Sequence, residues 1–389
     1  MEPIRDVFNQ TSITIFAKTL AKHLPGFDRQ AFVSAALQNL NSRSLMARSD
    51  HLSSLLQEQL PSFFPEAAAL LQNCLHPHCH GYASAEASPE LGIQGWLILP
   101  IADYAGRNGG DHLPIALDLL AQCTMRFTAE FGIRHLWFSQ PDEVMSIVQH
   151  WTSHENEHVR RLASEGSRPI LPWGKRLPLF IKEPERTMTI LSALIDDPSA
   201  YVRKSVANHL NDIARHHPEL VIDFAQKWLT GASTARQRLL RHALRNLLKK
   251  GHPRALALYE LSMPVLKHAL LRIDRNQLAV GDSLEVHLEL VSAATNDQSL
   301  RIDLVVYYQR ANGSWHPKVF RWKDLALPTG SHREIKKTLS FQPISTRTYY
   351  AGSHRLAVQI NGKIFASTDF TLTKDSDVIS SNRFENSSS

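Results

Sequence analysis

The sequence predicts an α-helical solenoid of HEAT-like repeats followed by a separate, small β-sandwich of immunoglobulin type. Before about residue 264, apolar residues recur at intervals of three and four positions, the spacing of helices with one buried face. From about Leu266, apolar and polar residues alternate instead, as they do in half-buried strands. We therefore predict a helical repeat domain over residues 1–264, a sandwich over 265–374 and a disordered tail over 375–389.

Three helical segments can be superposed, which indicates a repeat. They are HENEHVRRLASEG (154–166), DPSAYVRKSVANHLNDIARHHPEL (197–220) and STARQRLLRHALRNLLKKGHPRAL (233–256). Their matching positions lie 43 and then 34 residues apart, within the period range of HEAT-type solenoids. One helical hairpin cannot bury its apolar stripe alone, so neighbouring repeats are expected to stack.

The middle segment separates apolar from polar residues. At 100° per residue, one face of its helix carries Val202, Val206, Leu210 and Ile213. The other face carries Lys204, Asn208, Asn211, Asp212 and Arg215.

Matching positions of the three segments carry Arg161, Lys204 and Arg238, which predicts a basic ladder along one surface. Residues 201–260 contain 11 Lys and Arg against 4 Asp and Glu, a local excess above the net charge of the whole chain. A curved stack of basic helices would offer a groove of positive potential to the phosphates of a duplex. The alternative interpretation is an ordinary solvated helix surface.

The C-terminal part carries strand and hairpin signals. Leu284–Leu290 and Ile302–Tyr308 alternate apolar and polar residues. A third run, Leu356–Ile360, leads into Asn361-Gly362, a strong two-residue hairpin signal. Short strands at this spacing are typical of a small immunoglobulin-type sandwich, many of which lack the disulfide.

Composition bounds the class of protein. Of 389 residues, 43% are hydrophobic and 21% are charged, which is ordinary for a globular protein with a sizeable core. The net charge of +6 and a pI of about 9.2 favour a polyanionic partner, nucleic acid before an anionic membrane. Three cysteines without framework spacing argue against a secreted disulfide scaffold, and neither a signal peptide nor a membrane span is indicated. We expect a cytoplasmic monomer that does not bind membranes.

No cofactor motif stands out. GRNGG (106–110) lacks the strand, Lys and Ser/Thr of a phosphate loop, and there is no nucleophile elbow, kinase signature or dinucleotide fingerprint. The segment CLHPHCH (74–80) has five potential ligands, but its spacing fits no standard zinc pattern and no second cluster follows. The sequence therefore predicts neither a metal nor a small-molecule cofactor.

Two acidic residues, Glu165 and Asp212, fall on the predicted basic face. A carboxylate there weakens phosphate binding unless it has another task, such as holding a water or stabilising positive charge on a sugar whose base is leaving. The other interpretation is a salt bridge, Glu165 with Arg161 or Asp212 with Arg215.

Trp173 lies in RPILPWGKRLP (168–178), a basic loop between two repeats that its prolines should order. Two roles are open for this tryptophan. It is either a core anchor or an aromatic face on which a cationic base could stack.

The strings HENEHVRRLASEGSRPILPWGKRLP, DPSAYVRKSVANHLNDIARHHPE and RLLRHALRNLLKKGHPRAL resemble the AlkC family, part of the AlkC/AlkD superfamily of HEAT-like DNA glycosylases. The resemblance covers most of residues 1–264 and is specific in 125–256; one branch of the family also has a C-terminal immunoglobulin-like domain. It implies hydrolysis of the N-glycosidic bond of cationic alkylated bases in duplex DNA, chiefly 3-methylcytosine and 3-methyladenine. The family is thought to work without the base-specific pocket of flipping enzymes.

The resemblance also implies roles for residues. By analogy, Glu165 and Asp212 would be carboxylates near the deoxyribose, with Asp212 stabilising an oxocarbenium-like ion and orienting water. Trp173 would be the aromatic near the cation, and Glu130 in TAEFGIRHLW matches a further acidic position. Asn208 stands where the sister AlkD group has a tryptophan, which favours AlkC-type chemistry. The phosphates would be held by Arg160, Arg161, Arg168, Lys175, Arg203, Lys204, Arg238, Arg241, Arg245, Lys249 and Lys250.

Two other functions fit the same sequence. One is a non-enzymatic DNA-binding scaffold that uses the same groove. The other is a protein-binding HEAT adaptor with an immunoglobulin module, for which duplex affinity would be poor and insensitive to salt.

Overall fold

The computed structural model describes residues 4–78, 90–344 and 347–374. The predicted disordered tail (375–389) and the last two residues of the Cys74–His80 segment lie outside the described residues. The chain divides into two compact units, Met1–Ala243 and Leu244–Ser389. In the described ranges, no helix combines the length and the apolar character needed to cross a membrane.

The first unit is built from helices. Its α-helices are α1 (Gln10–His23), α2 (Arg29–Leu37), α3 (Leu45–Gln59), α4 (Phe64–Cys74), α5 (Ile98–Asn108), α6 (Leu113–Thr124), α7 (Ile133–Ser139), α8 (Pro141–Trp151), α9 (Glu157–Gly166), α10 (Pro178–Lys182), α11 (Glu185–Ala193), α12 (Ala200–Ile213), α13 (Pro218–Leu229) and α14 (Thr234–Ala243). Short 3-10 helices cover Ile4–Val7, Leu40–Ser42, Gly95–Leu97 and Gly110–His112.

The three superposed segments stack as predicted. Helices α9 and α14 both pack against α12, while α11 packs on α9 and α13 packs on α12 and α14. Local sequence explains the helix starts: the Asn156 side chain caps α9 by accepting from the His158 amide at 2.9 Å, and Pro178 and Pro218 begin α10 and α13. The HEAT-like solenoid is confirmed.

Helix α12 buries more than its predicted apolar face. Val202, Val206, Leu210 and Ile213 are buried, in agreement with the periodicity. Asn211 and Asp212, which the same periodicity places on the polar face, are also buried. They can be buried because α12 packs between α9 and α14, so its polar face is partly covered by neighbouring repeats.

The second unit joins two short helices to a β-sandwich. Its helices are α15 (Arg245–Lys250) and α16 (Pro253–Ala257). Its strands are β1 (Leu266–Ile273), β2 (Gln277–Ala279), β3 (Ser283–Ser292), β4 (Gln298–Gln309), β5 (Trp315–Leu327), β6 (His332–Ser340), β7 (Gly352–Ile360) and β8 (Lys363–Thr373). A three-stranded sheet has the order β1-β3-β6, and a five-stranded sheet has the order β2-β8-β7-β4-β5.

The predicted alternation forms the core of the sandwich. Leu284, Val286, Leu288 and Leu290 of β3 are fully buried, as are Ile302, Leu304 and Val306 of β4. All strand pairs are antiparallel except β2 with β8. The immunoglobulin-like sandwich is confirmed.

The predicted hairpin turn joins β7 to β8. Asn361 and Gly362 have φ of 44° and 83°, the positive values that a type I′ turn requires. The turn packs on the helix end at Gly251 so closely that a Cβ atom on Gly362 would lie 2.2 Å from the Gly251 Cα. The Asn361 side-chain Nδ2 donates to the Ser262 and Ser299 carbonyls at 2.7 and 3.0 Å, which ties the turn to the segment before β1 and to β4.

Candidate active site

Glu165 and Asp212 are joined by one arginine. Arg168 follows α9, and its Nη1 donates to Glu165 Oε1 at 2.6 Å while its Nε donates to Asp212 Oδ2 at 2.8 Å. Glu165 is at the end of α9 and Asp212 at the end of α12, so the stacking of two repeats brings the carboxylates together. All three side chains are buried, with residue exposures of 7%, 2% and 7% for Glu165, Asp212 and Arg168.

A second arginine extends this cluster to Glu130. Arg161 Nη1 donates to Glu130 Oε2 at 3.0 Å, and its Nη2 lies 3.5 Å from Glu165 Oε1. The Arg161 guanidinium also lies over the Tyr201 ring, 5.3 Å from its centroid. The three carboxylates that the sequence singled out therefore belong to one network.

Uncharged groups of α9 and α12 complete the network around Glu165. The Ser205 hydroxyl donates to Glu165 Oε2 at 2.6 Å. His209, one turn further along α12, contacts the Ser164 carbonyl through Nδ1 at 2.9 Å. Because a carbonyl only accepts, Nδ1 carries the proton. Burial lowers the pKa of His209 to about 3, with help from Arg168, so the imidazole is neutral.

The two central carboxylates differ in acidity. Burial disfavours the ionised form of Glu165, but Arg161, Arg168 and the Ser205 hydroxyl outweigh burial and hold its pKa below the usual value. For Asp212, burial outweighs the attraction of Arg168, and the pKa is raised. Glu165 is thus the firmly ionised member, while Asp212 is the better proton acceptor of the two.

Trp173 is on the surface. Its side chain is 65% exposed, which excludes the role of core anchor. Its φ of 62° is in the left-handed region that non-glycine residues seldom adopt, so the loop holds the Trp173 backbone in a strained conformation. With Phe131, His135 and Asp103, Trp173 lines a cavity of about 280 Å³.

The eleven predicted phosphate ligands fall into three groups: exposed, half-buried and paired with carboxylates. Lys175, Lys204, Arg238 and Lys250 are exposed, and Lys204 and Arg238 line one shallow cavity between α12 and α14 together with Arg203 and His242. Arg203, Arg241, Arg245 and Lys249 are half-buried.

The remaining basic residues face carboxylates. Arg160 pairs with Asp197 through Nε at 2.6 Å and Nη2 at 3.1 Å. Arg161 and Arg168 turn into the carboxylate network. The ladder of Arg161, Lys204 and Arg238 is therefore interrupted at its first member, because Glu130 and Glu165 attract Arg161 inward. Both salt bridges considered from the sequence exist, but they are longer than the contacts with Arg168: Arg161–Glu165 at 3.5 Å and Arg215–Asp212 at 3.9 Å.

Sequence reasoning missed three members of the site. The resemblance implies a phosphate-binding role for Arg168, although this residue follows Glu165 by three positions, a spacing at which helix neighbours meet. Ser205 and Arg134 were not singled out. Neither had a signal in the sequence, because Ser205 reaches Glu165 and Arg134 reaches the 166–175 segment only through the stacking of separate helices.

The described part of the Cys74–His80 segment contains Cys74, His76 and His78. Burial raises the pKa of the Cys74 thiol to about 12. Among the described residues, no group of three or more His, Cys, Asp or Glu side chains could hold a metal ion.

Comparison with known proteins covers both units. Residues 126–247 match the family model "DNA alkylation repair enzyme", and residues 267–374 match the C-terminal Ig-like domain of YhaZ. The chain is 33% identical to "Uncharacterized protein YhaZ" of Bacillus subtilis (strain 168) over 375 residues, which are 96% of this chain and 100% of that protein. It is 31% identical, with a TM-score of 0.85, to a structure of the Pseudomonas fluorescens alkylpurine DNA glycosylase AlkC bound to DNA containing an abasic site analog, covering 96% of this chain and 100% of that one.

The chain belongs to the AlkC family of DNA glycosylases. It belongs to the branch of this family that has a C-terminal immunoglobulin-like domain. Glu130, Glu165 and Asp212 all lie within the residues that match the alkylation repair model. Membership of the AlkC family therefore makes the buried network the candidate active site of an alkylation-damage DNA glycosylase.

Proposed function

We propose that the protein hydrolyses the N-glycosidic bond of cationic N-alkylated bases in duplex DNA, with 3-methylcytosine and 3-methyladenine as substrates. The observation that carries this proposal is the buried Glu165–Arg168–Asp212 arrangement, in which two carboxylates are fixed by one guanidinium. Fixed charges of this kind can stabilise a cation without reorganising during the reaction. We propose that no base-specific flipping pocket and no cofactor is used, and that the protein acts as a monomer.

The chemistry needs little acid catalysis. The alkylated base is positively charged, so when the C1′–N bond breaks the base takes the bonding electrons and leaves as a neutral molecule. The deoxyribose becomes an oxocarbenium ion, and water then attacks C1′ and loses a proton. Asp212 would stabilise the ion and accept that proton, because its raised pKa makes it the better base. Glu165, whose pKa is lowered, would contribute a constant negative charge.

Glu130 and Trp173 have supporting roles in this proposal. Glu130 holds Arg161 at 3.0 Å and so limits the positive charge that Arg161 presents to a cationic sugar. The exposed Trp173 indole would stack on the positively charged base, where cation–π attraction stabilises it. The exposed cations at Lys175, Lys204 and Arg238 would bind phosphates. The cavity that Lys204 and Arg238 line between α12 and α14 has room for a backbone group.

Excision from a defined duplex tests the proposal. Purified protein is incubated with duplex DNA that carries one 3-methylcytosine or one 3-methyladenine, and alkali-labile abasic sites are counted against time. The Asp212→Asn variant should bind the duplex normally and excise about 100- to 1,000-fold more slowly, the range for loss of one stabilising group.

A matched control separates catalysis from folding. Asp197 is another buried carboxylate, 6% exposed, that is held by an arginine, Arg160. The Asp197→Asn variant should therefore share the folding cost of Asp212→Asn without sharing its loss of excision. If the wild type leaves both lesions intact but binds the duplex, the non-enzymatic DNA-binding scaffold becomes the better account. Weak duplex binding that salt does not change would favour the protein-binding adaptor.

A further inference from the structure

Arg134 is a buried arginine that contacts backbone rather than a carboxylate. It lies on α7 and is 1% exposed. Burial lowers its pKa to about 10, and the neighbouring Arg168 contributes to this shift. Burying an arginine without a paired carboxylate costs free energy, which its hydrogen bonds to the backbone offset.

The nitrogens of Arg134 reach both ends of one segment. Nη1 donates to the Arg168 carbonyl at 2.9 Å and to the Gly166 carbonyl at 3.3 Å, where the segment leaves α9. Nε donates to the Lys175 carbonyl at 2.5 Å, where the segment returns. The side chain thus spans the segment of residues 166–175 and fixes its ends relative to α7.

This segment carries two groups of the site. Arg168 holds Glu165 and Asp212, and Trp173 presents its indole to solvent. The segment has some bonds of its own, from the Leu177 amide to the Pro169 carbonyl and from the Gly174 amide to the Leu171 carbonyl, both at 3.1 Å. These bonds shape the segment, but the contacts with Arg134 anchor its two ends to a neighbouring helix.

We propose that Arg134 is a positioning residue of this site, which places Arg168 and Trp173 together by anchoring the backbone between Gly166 and Lys175. This inference rests on the proposed function and adds to it a residue that does not touch DNA. A guanidinium suits this role because its separate nitrogens can donate to carbonyls at both ends of the segment. A lysine ammonium is a compact donor at the end of one stem.

The test is a double-mutant cycle on single-turnover excision. Arg134→Lys should lower the excision rate about 10- to 100-fold, the cost of a displacement near 1 Å, while the Kd for the duplex stays within about twofold. In a background that already has Arg168→Lys, the same change should cost less than about threefold, because Arg134 acts through Arg168. The fluorescence of Trp173 is obtained by subtracting the signal of the matching Trp173→Phe variant. Acrylamide should quench this fluorescence more strongly in Arg134→Lys than in the wild type.

Arg48 provides the matched control. It is 2% exposed and also donates to backbone carbonyls, those of Arg5, Phe8 and Arg43, at the other end of the first unit's sequence. Unlike Arg134, it also donates to a carboxylate, Asp6 Oδ1 at 3.3 Å. Arg48→Lys should lower the melting temperature without changing excision per folded molecule. If Arg134→Lys does not fold, Arg134→Met is used against Arg48→Met, since methionine removes the buried charge and keeps an apolar stem.

Three outcomes would overturn the inference. They are equal losses of excision in the Arg134 and Arg48 variants, fully additive losses in the cycle, and a loss confined to duplex affinity. Failure of the proposed function is distinguishable from these, because the wild-type protein itself would then excise neither lesion.

Discussion

Arg168 places two of its nitrogens on the same oxygen of Asp212. Nε and Nη2 lie 2.8 and 2.7 Å from Oδ2, and Arg215 Nη2 lies 3.9 Å from the other oxygen, Oδ1. The third nitrogen, Nη1, goes to Glu165. Arg168 therefore sets the orientation of Asp212 through Oδ2.

Replacement of Arg168 by lysine should damage catalysis more than folding. One ammonium cannot make the three contacts, so the two carboxylates would lose their common anchor and the single-turnover rate should fall about 10- to 100-fold. Arg186 is the control because it also bridges two carboxylates, Asp142 and Glu183, but at the surface. Arg186→Lys should leave excision unchanged, and equal effects of the two substitutions would contradict the assignment of Arg168.

The pH dependence of excision should report Asp212. Its pKa is raised, mainly by burial, so the ionised form that stabilises the sugar cation is lost as pH falls through this raised value. The single-turnover rate should therefore decline on the acid side with an inflection above the ordinary value of 3.8 for aspartic acid. Glu165 should add no inflection there, because its pKa is lowered and it stays ionised.

Substitutions at Arg168 and Asp212 test whether Asp212 causes this inflection. The guanidinium opposes the rise in the pKa of Asp212, so Arg168→Gln should move the inflection to higher pH. Asp212→Asn should remove it. An inflection that persists in Asp212→Asn would assign the titration to another group. At each pH, the rate of spontaneous base loss without protein is subtracted from the measured rate.

The sequence was sufficient for the repeat architecture, but not for the electrostatics around Glu130, Glu165 and Asp212. The spacing of Val202, Val206 and Leu210 predicted which face of α12 is buried, because helix periodicity is a local property. The pairing of Arg168 with Asp212 joins residues 44 positions apart and depends on how α9 and α12 stack. A periodic pattern cannot separate a basic residue that binds phosphate from one that neutralises a buried carboxylate.

Exposed cations should control the salt dependence of duplex binding. Lys204 and Arg238 line one shallow cavity on the predicted basic face. If each neutralises one phosphate, Lys204→Gln or Arg238→Gln should reduce the slope of log K against log salt by about 0.9. Lys227, an exposed lysine of α13, is the control, and Lys227→Gln should leave the slope unchanged. Equal slopes for all four proteins would remove this surface from the DNA interface.

The hairpin turn at Asn361-Gly362 should be intolerant of a side chain at its second position. Gly362 has a φ of 83°, and a Cβ atom there would lie 2.2 Å from the Gly251 Cα and 3.3 Å from its backbone N and C. Gly313 has a similar φ of 77° in another turn, with nothing within 4 Å of its Cβ position. Gly313→Ala therefore measures the cost of the left-handed backbone alone, about 1–3 kcal/mol, and Gly362→Ala adds the steric conflict. Urea unfolding should show a larger loss of unfolding free energy for Gly362→Ala than for Gly313→Ala, since the backbone of the α15 terminus has little freedom to retreat. Equal losses would mean that the contact between Gly251 and Gly362 can open without cost.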